Sequence, residues 1–168
     1  MKRILLILAL VGLFTVPSFA GDFWGNLSLD YGFPYNPVGS ADLIGNLTTG
    51  YTPLHIVDAL SFGLLMRESM GVAVVNLGEV SYGNVTNESY SFETWATISP
   101  MIAMRTSLGS DCYFTLATGV GYNLYATNPD KNVGTWSETF LAQIQFNYFI
   151  LESGIEGPDG FVGIGLNL

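Results

Sequence analysis

Residues 161–168 read FVGIGLNL. Val162, Ile164, Leu166 and Leu168 are apolar, and Gly163, Gly165 and Asn167 stand between them. A period of two, with one apolar face and one small or polar face, is the pattern of a β-strand. Moving back along the chain, the same alternation recurs. In 22–33, Phe23, Leu27, Leu29, Tyr31 and Phe33 oppose Asn26, Ser28 and Asp30. In 41–52, Leu43, Leu47 and Tyr51 oppose Asp42, Asn46 and Thr48. Further stretches at 57–67, 89–105, 112–125, 136–146 and 149–156 behave alike, which makes eight strands. Strands of this kind, repeated through nearly the whole chain, predict an all-β fold: an antiparallel up-and-down transmembrane β-barrel.

The beginning of the chain does not share the pattern. Lys2 and Arg3 precede an apolar run from Ile4 to Val16, and Ser18-Phe19-Ala20 supplies a small-x-small cleavage site. That layout predicts a signal peptide over 1–20, leaving 21–168 as the barrel domain. The run is short for a membrane-spanning helix, which needs ~20 apolar residues. Mean hydropathy is +0.38 and 49% of residues are hydrophobic, high for a water-soluble domain of this size. Cys112 is the single cysteine, so an intramolecular disulfide is excluded, and it reads as a small hydrophobe.

Charge narrows the partners. After the expected cleavage, Arg67, Arg105 and Lys131 face fourteen acids, a net charge of −11. No basic patch is present to displace counterions from phosphate, so no nucleic-acid partner is expected. A lumen, if open, would prefer cations.

The connections are expected to alternate between short segments (53–56, 106–111) and longer ones (69–88, 126–135), with 34–40 as the first loop and 157–160 as a turn. Short turns at one end and long loops at the other fit the barrel pattern. The stretch 71–82, GVAVVNLGEVSY, is ambiguous. It extends the flanking strands if the count stays at eight, or helps to make ten. Pro100 interrupts 89–105 and requires a bulge or a local break, because it has no N–H for the ladder. With both termini at the short-turn end, two aromatic girdles are expected: Phe23, Trp24, Tyr51, Tyr113, Phe114, Phe146, Tyr148 and Phe149 at that rim, and Tyr31, Phe33, Tyr90, Phe92, Tyr122, Tyr125, Trp136 and Phe161 at the other.

On these features the chain resembles the small outer-membrane β-barrel proteins of Gram-negative-type bacteria, over essentially all of 21–168. The resemblance implies residence in the bacterial outer membrane, with membrane lipid and the outer-membrane assembly machinery as partners. Members of that group typically end in an aromatic residue that the machinery reads. Leu168 stands in that place here, with Phe161 seven residues earlier.

Chemistry is scarce. His55, the sole histidine, falls beside Pro53 in a short segment and reads as a turn residue. No nucleophile–base pair, phosphate loop or metal-spaced cluster is present, so neither an enzyme nor a cofactor is expected. The notable residues are the charges whose parity points them inward: Asp30, Arg67, Glu93, Arg105, Glu152 and Glu156. An eight-stranded barrel is just wide enough to be filled by side chains, and buried charge must be paired. Arg67 and Glu93, on neighbouring strands, are the expected pair, with Arg105 low in the barrel near the short turns. The size argument favours a polar plug over a gated pore. A structural or surface-interaction role in the envelope through 69–88 and 126–135 therefore ranks first, a narrow cation-preferring pore second, and a soluble periplasmic lipocalin-like binding barrel last.

Overall fold

A computed structural model describes residues 22–33, 41–57, 59–82, 85–127 and 133–168. The expected signal peptide and the segments 34–40 and 128–132 lie outside the described residues. Eight strands follow in order: β1 (Asp22–Phe33), β2 (Ala41–Val57), β3 (Leu60–Tyr82), β4 (Val85–Gly109), β5 (Cys112–Ala126), β6 (Trp136–Phe146), β7 (Phe149–Glu156) and β8 (Asp159–Asn167). Each pairs antiparallel with its sequence neighbours, and β8 pairs with β1 to close the barrel. The closing seam runs from Asn26↔Asn167 to Phe33↔Gly160. The stretch FVGIGLNL therefore completes the cylinder and removes the last open edge.

Which face is apolar decides between membrane and water. Leu27 and Leu29 are 50% and 51% exposed on the outside of β1, whereas Ser28 between them is 8% exposed. Leu43, Leu64, Ile102, Ile144, Leu151 and Ile164 continue the outer belt. Asn46, Thr48, Ser69, Ser99, Thr115 and Thr139 are buried inside. A lipocalin-like barrel has the reverse arrangement, so that expectation is overturned. Leaving a large apolar side chain in water forgoes about 1.5–3 kcal/mol, and a whole belt of them requires lipid. β6 and β8, at 11 and 9 residues, match the ~9–11 residues that a tilted strand needs to cross, and β1, at 12, is long enough to do so.

The end that carries both termini has tight turns. Asp111 and Asn147 take positive φ there (57° and 49°), a conformation that short polar Asp and Asn tolerate. At this terminal end β2 also departs from expectation. Residues 53–57 are not a turn but a strand continuation, with register shifts between Tyr51 and Leu54 and between His55 and Val57, around the missing N–H of Pro53.

At the opposite, loop end, the 71–82 run extends β3 instead of adding a ninth strand. Pairing with β2 stops at Ala41↔Val74, and pairing of β4 with β5 stops at Trp95↔Ala126. Beyond those points β3 and β4 pair only with each other, up to Tyr82↔Val85. Of the expected loop 69–88, residues 69–74 are therefore barrel wall paired with β2, and the described residues beyond Val74 belong to a two-stranded ribbon projecting from the barrel. Pro100 produces a local break. Pairing to β5 skips Ser99 and Pro100 and resumes at Met101↔Gly119 in the same register. Gly119 makes this possible, since a Cβ there would lie 2.1 Å from the Pro100 carbonyl oxygen.

The girdles also need correction. Trp24 and Phe161 are 7% and 4% exposed and sit inside the barrel, in one cluster with Leu65, Met101 and Leu141. Trp24 has the parity of Asn26 and Ser28, and Phe161 that of Gly163, so both point into the lumen. Phe23, Phe33, Phe92, Trp136, Phe146 and Phe149 do face outward.

Candidate functional site

The interior of the barrel is the candidate site. Three of the expected charges meet there: Arg67 from β3, Asp30 from β1 and Glu152 from β7. Arg67 Nη2 donates to Asp30 Oδ2, and Nη1 donates to Glu152 Oε1 at 2.9 Å. The arginine is 1% exposed and both carboxylate side chains are fully enclosed. Ser28 Oγ also donates to Glu152 Oε1, and Gln143 Nε2 donates to Oε2 at 2.8 Å. Asn26 Nδ2 donates to Gln143 Oε1 at 3.2 Å, and Asn46 Nδ2 to Ser28 Oγ at 3.2 Å. One network thus ties β1, β2, β3, β6 and β7 across the lumen. Glu152 satisfies its lone pairs with three donors, whereas Asp30 Oδ1 and Arg67 Nε are enclosed without a hydrogen-bond partner.

Glycine on the closing strand makes the network fit. A Cβ on Gly163 would lie 1.8 Å from Asp30 Oδ1, and one on Gly165 would lie 2.4 Å from the Leu27 carbonyl oxygen. The small residues on the inner face of β8 are the room into which β1 presses its polar side chains.

The expected Arg67–Glu93 pair does not form. Arg67 lies opposite Ser99 on β4, whereas Glu93 lies opposite Ala73, six residues nearer the loop end and past the last residue that β4 shares with β5. Glu93 has the inward parity but stands above the closed part of the barrel. The error came from reading 69–88 as loop, which placed β4 too low.

Arg105 belongs to a separate group at the terminal end. Its guanidinium lies against two rings, with Cζ 4.4 Å from the Trp24 centroid and 4.3 Å from that of Tyr113. Nη2 donates to Gln145 Oε1 at 2.8 Å, and its carbonyl accepts from Ser61 Oγ at 3.2 Å. Among the described residues, both ion pairs belong to Arg67 and none to Arg105. Stacking on two aromatic faces supplies part of what a carboxylate would. The group floors a vestibule of about 460 Å³ that also includes Asp22 and Asp111. His55 is exposed nearby and lines a neighbouring recess with Arg105.

Glu156 is at the other end. It pairs with Asp159 across the β7–β8 turn and lines a cup of about 380 Å³ with Asp42, Thr97, Trp95 and Phe161. Phe161 also carries Arg67 on its ring, with Cζ 4.5 Å from the centroid. The cup and the vestibule have no lining residue in common. Between them lie the Arg67 network and the Leu65, Met101 and Leu141 cluster.

Two features escaped the sequence reading. The inner apolar cluster left a signal in Leu64-Leu65-Met66 and Phe140-Leu141-Ala142, where three apolar residues in a row override the alternation. Glu68 has the outward parity of Met66 and Met70 and lies opposite Leu47 and Ile98. It is a half-buried carboxyl on the apolar face, where charge is disfavoured.

No family model matches the chain, and neither does any curated protein sequence. Among solved structures, it is similar to a designed transmembrane β-barrel at 14% identity, covering 86% of this chain and 95% of that one, with a TM-score of 0.45. It is also similar to the Yersinia pestis outer membrane protein Ail in a phospholipid bilayer nanodisc, at 11% identity, covering 88% of this chain and all of that one, with a TM-score of 0.39. The class assigned here, a small transmembrane β-barrel of eight antiparallel strands, rests on the chain's own closure and on the sorting of its two faces.

Proposed function

We propose that this protein is an integral barrel of the bacterial outer membrane with a structural or surface-interaction role, and that its lumen is closed. The supporting observation is the filled interior. Arg67, Asp30 and Glu152 are locked in hydrogen bonds across five strands, and an apolar cluster lies beside them. A conducting path needs hydrated, mobile side chains, and this interior has packed ones. Outer-membrane lipid is the partner of the apolar belt, and the assembly machinery inserts the barrel. The projecting β3–β4 ribbon, together with the 126–135 connection, is the part offered to the exterior.

Planar-bilayer recording of the refolded chain tests this reading. The expected result is no steady conductance. Sustained cation-selective channels would replace it with the narrow-pore reading, and would mean that the Arg67 network opens.

A further inference from the structure

Glu68 lies within the outer apolar face, where the barrel meets lipid. Its outward neighbours are Met66 and Met70 along β3, Leu47 across on β2 and Ile98 across on β4. Among the described residues, none forms a hydrogen bond or ion pair with it. Leu64 and Val72, four residues to either side on the same face, are both exposed. At ~3.3 Å per residue, about 13 Å of apolar strand therefore extends each way, too far for a glutamate side chain to reach around. A polar group without a partner in hydrocarbon is costly, and an ionisable residue held there marks a contact. The surface beside it is shaped for close approach. Met70 is 72% exposed and is flanked by Gly45 on β2 and Ala96 on β4. A Cβ on Gly45 would meet nothing closer than the Met70 carbonyl oxygen at 3.9 Å. A projecting side chain between two shallow positions can complement a copy of itself, and small residues let two backbones come close in a membrane.

We propose that two copies of this chain associate in the membrane through the outer face of β2, β3 and β4, with their Glu68 carboxyls bonded to each other near the two-fold axis. Copies inserted in the same direction are related by an axis along the membrane normal, so each residue of the contact meets residues at its own height. Glu68 therefore meets Glu68. A carboxyl that carries its proton offers one O–H donor and an acceptor oxygen. Two of them face to face make two hydrogen bonds and leave no charge in hydrocarbon. Lipid tails supply neither a donor nor an acceptor. At the next height, Met70 of one copy enters the hollow beside Met70 of the other. The proposal takes the transmembrane barrel as given and depends neither on the closed lumen nor on the role in the envelope.

Sedimentation equilibrium of the refolded chain in a density-matched, uncharged detergent reads the association. A reversible monomer–dimer equilibrium is expected. Glu68→Leu, which suits the lipid face, should weaken the dimer about tenfold, the effect of two hydrogen bonds inside a membrane. Glu68→Gln keeps a donor and an acceptor and should hold the affinity within about threefold. Gly45→Leu fills the hollow and should also weaken the dimer. Lys131→Gln should leave it unchanged. Heat-modifiable gel mobility verifies that each variant has folded. In phosphatidylcholine vesicles, with Cys112 replaced by serine, a short lipid-soluble bis-maleimide should join copies through Met70→Cys. It should not join them through Leu151→Cys, which faces lipid from β7, four strands away. A chain that is monomeric at every concentration overturns the proposal and leaves the carboxyl to lipid or to another membrane protein. A dimer that Glu68→Leu does not weaken, or that is joined equally through 70 and 151, overturns it as well. Equal losses in Glu68→Gln and Glu68→Leu would overturn the hydrogen-bonded pair, and a matching loss in Lys131→Gln would replace it with an ion pair to that lysine.

Discussion

Replacing Arg67 by methionine is the most direct test of how this barrel is held together. Methionine keeps much of the side-chain volume and removes the charge. The change deletes the donor to Asp30, the 2.9 Å contact to Glu152 and the stacking on Phe161. It also leaves two enclosed carboxylates facing each other with no cation between them. Removing one partner of a buried ion pair costs roughly 3–5 kcal/mol, and with these groups 0–1% exposed no solvent screening reduces that figure. A loss of about 4 kcal/mol is expected. At a urea slope of about 2 kcal/mol/M, it lowers the midpoint by about 2 M. Neutralising the whole triad (R67M, D30N and E152Q together) should cost far less, about 1 kcal/mol, since no charge is then stranded and Ser28 and Gln143 still have a partner at 152.

The assay is urea unfolding of the lipid-reconstituted barrel, followed by tryptophan fluorescence and by gel mobility. The single variant should also recover part of its lost stability on acidification, once the pH is low enough to neutralise Asp30 and Glu152, whereas the triple variant should not. Stability losses that simply add, with the triple variant at least as unstable as R67M, would refute the coupling. The interior would then be hydrated enough to screen its charges, and the closed lumen would fall with it.

Two further outcomes follow from the sorting of the faces and the tightness of the seams. Leu29→Cys in a bilayer should react with a lipid-soluble maleimide and resist a water-soluble one, whereas Ser28→Cys should resist both until the barrel is unfolded; brisk aqueous labelling of Leu29→Cys in the bilayer would contradict the membrane assignment. Gly119→Ala places a methyl 2.1 Å from the Pro100 carbonyl oxygen, so β4 and β5 must separate there, with a stability loss of about 1–3 kcal/mol by the same unfolding assay; an unaltered midpoint would mean that the break at Pro100 is loose.

The strands were legible because their signal is local. A period of two is written into each segment, and the closing FVGIGLNL needs no knowledge of its partner to be read. Heights and partners across the lumen are not local. Arg67 reaches Asp30 on β1 and Glu152 on β7, and neither β1 nor β7 is a neighbour of β3 in the sheet. That meeting depends on barrel closure and stagger, which alternation does not encode. The pair expected with Glu93 failed for the same reason. Val72, Val74, Tyr90 and Phe92 continue an apolar parity past the barrel, so the point at which β4 leaves it is set by where β2 and β5 stop pairing. The interior aromatics were misplaced when height was read without parity: Trp24 and Phe161 sit at the rims in height but on the inner face.

Those two rings explain how so few basic residues organise the lumen. Arg67 is matched by two carboxylates and rests on Phe161, which in turn forms the floor of the loop-end cup. Arg105 has no ion pair among the described residues and lies against Trp24 and Tyr113, at the floor of the terminal vestibule. Each guanidinium thus sits where an aromatic ring separates the packed interior from an open mouth. An aliphatic residue at 24 or 161 would keep the apolar packing but lose the ring face that helps to hold the cation. The charge network and the apolar cluster are therefore parts of one closure, with Phe161 belonging to both and Trp24 joining the cluster to Arg105.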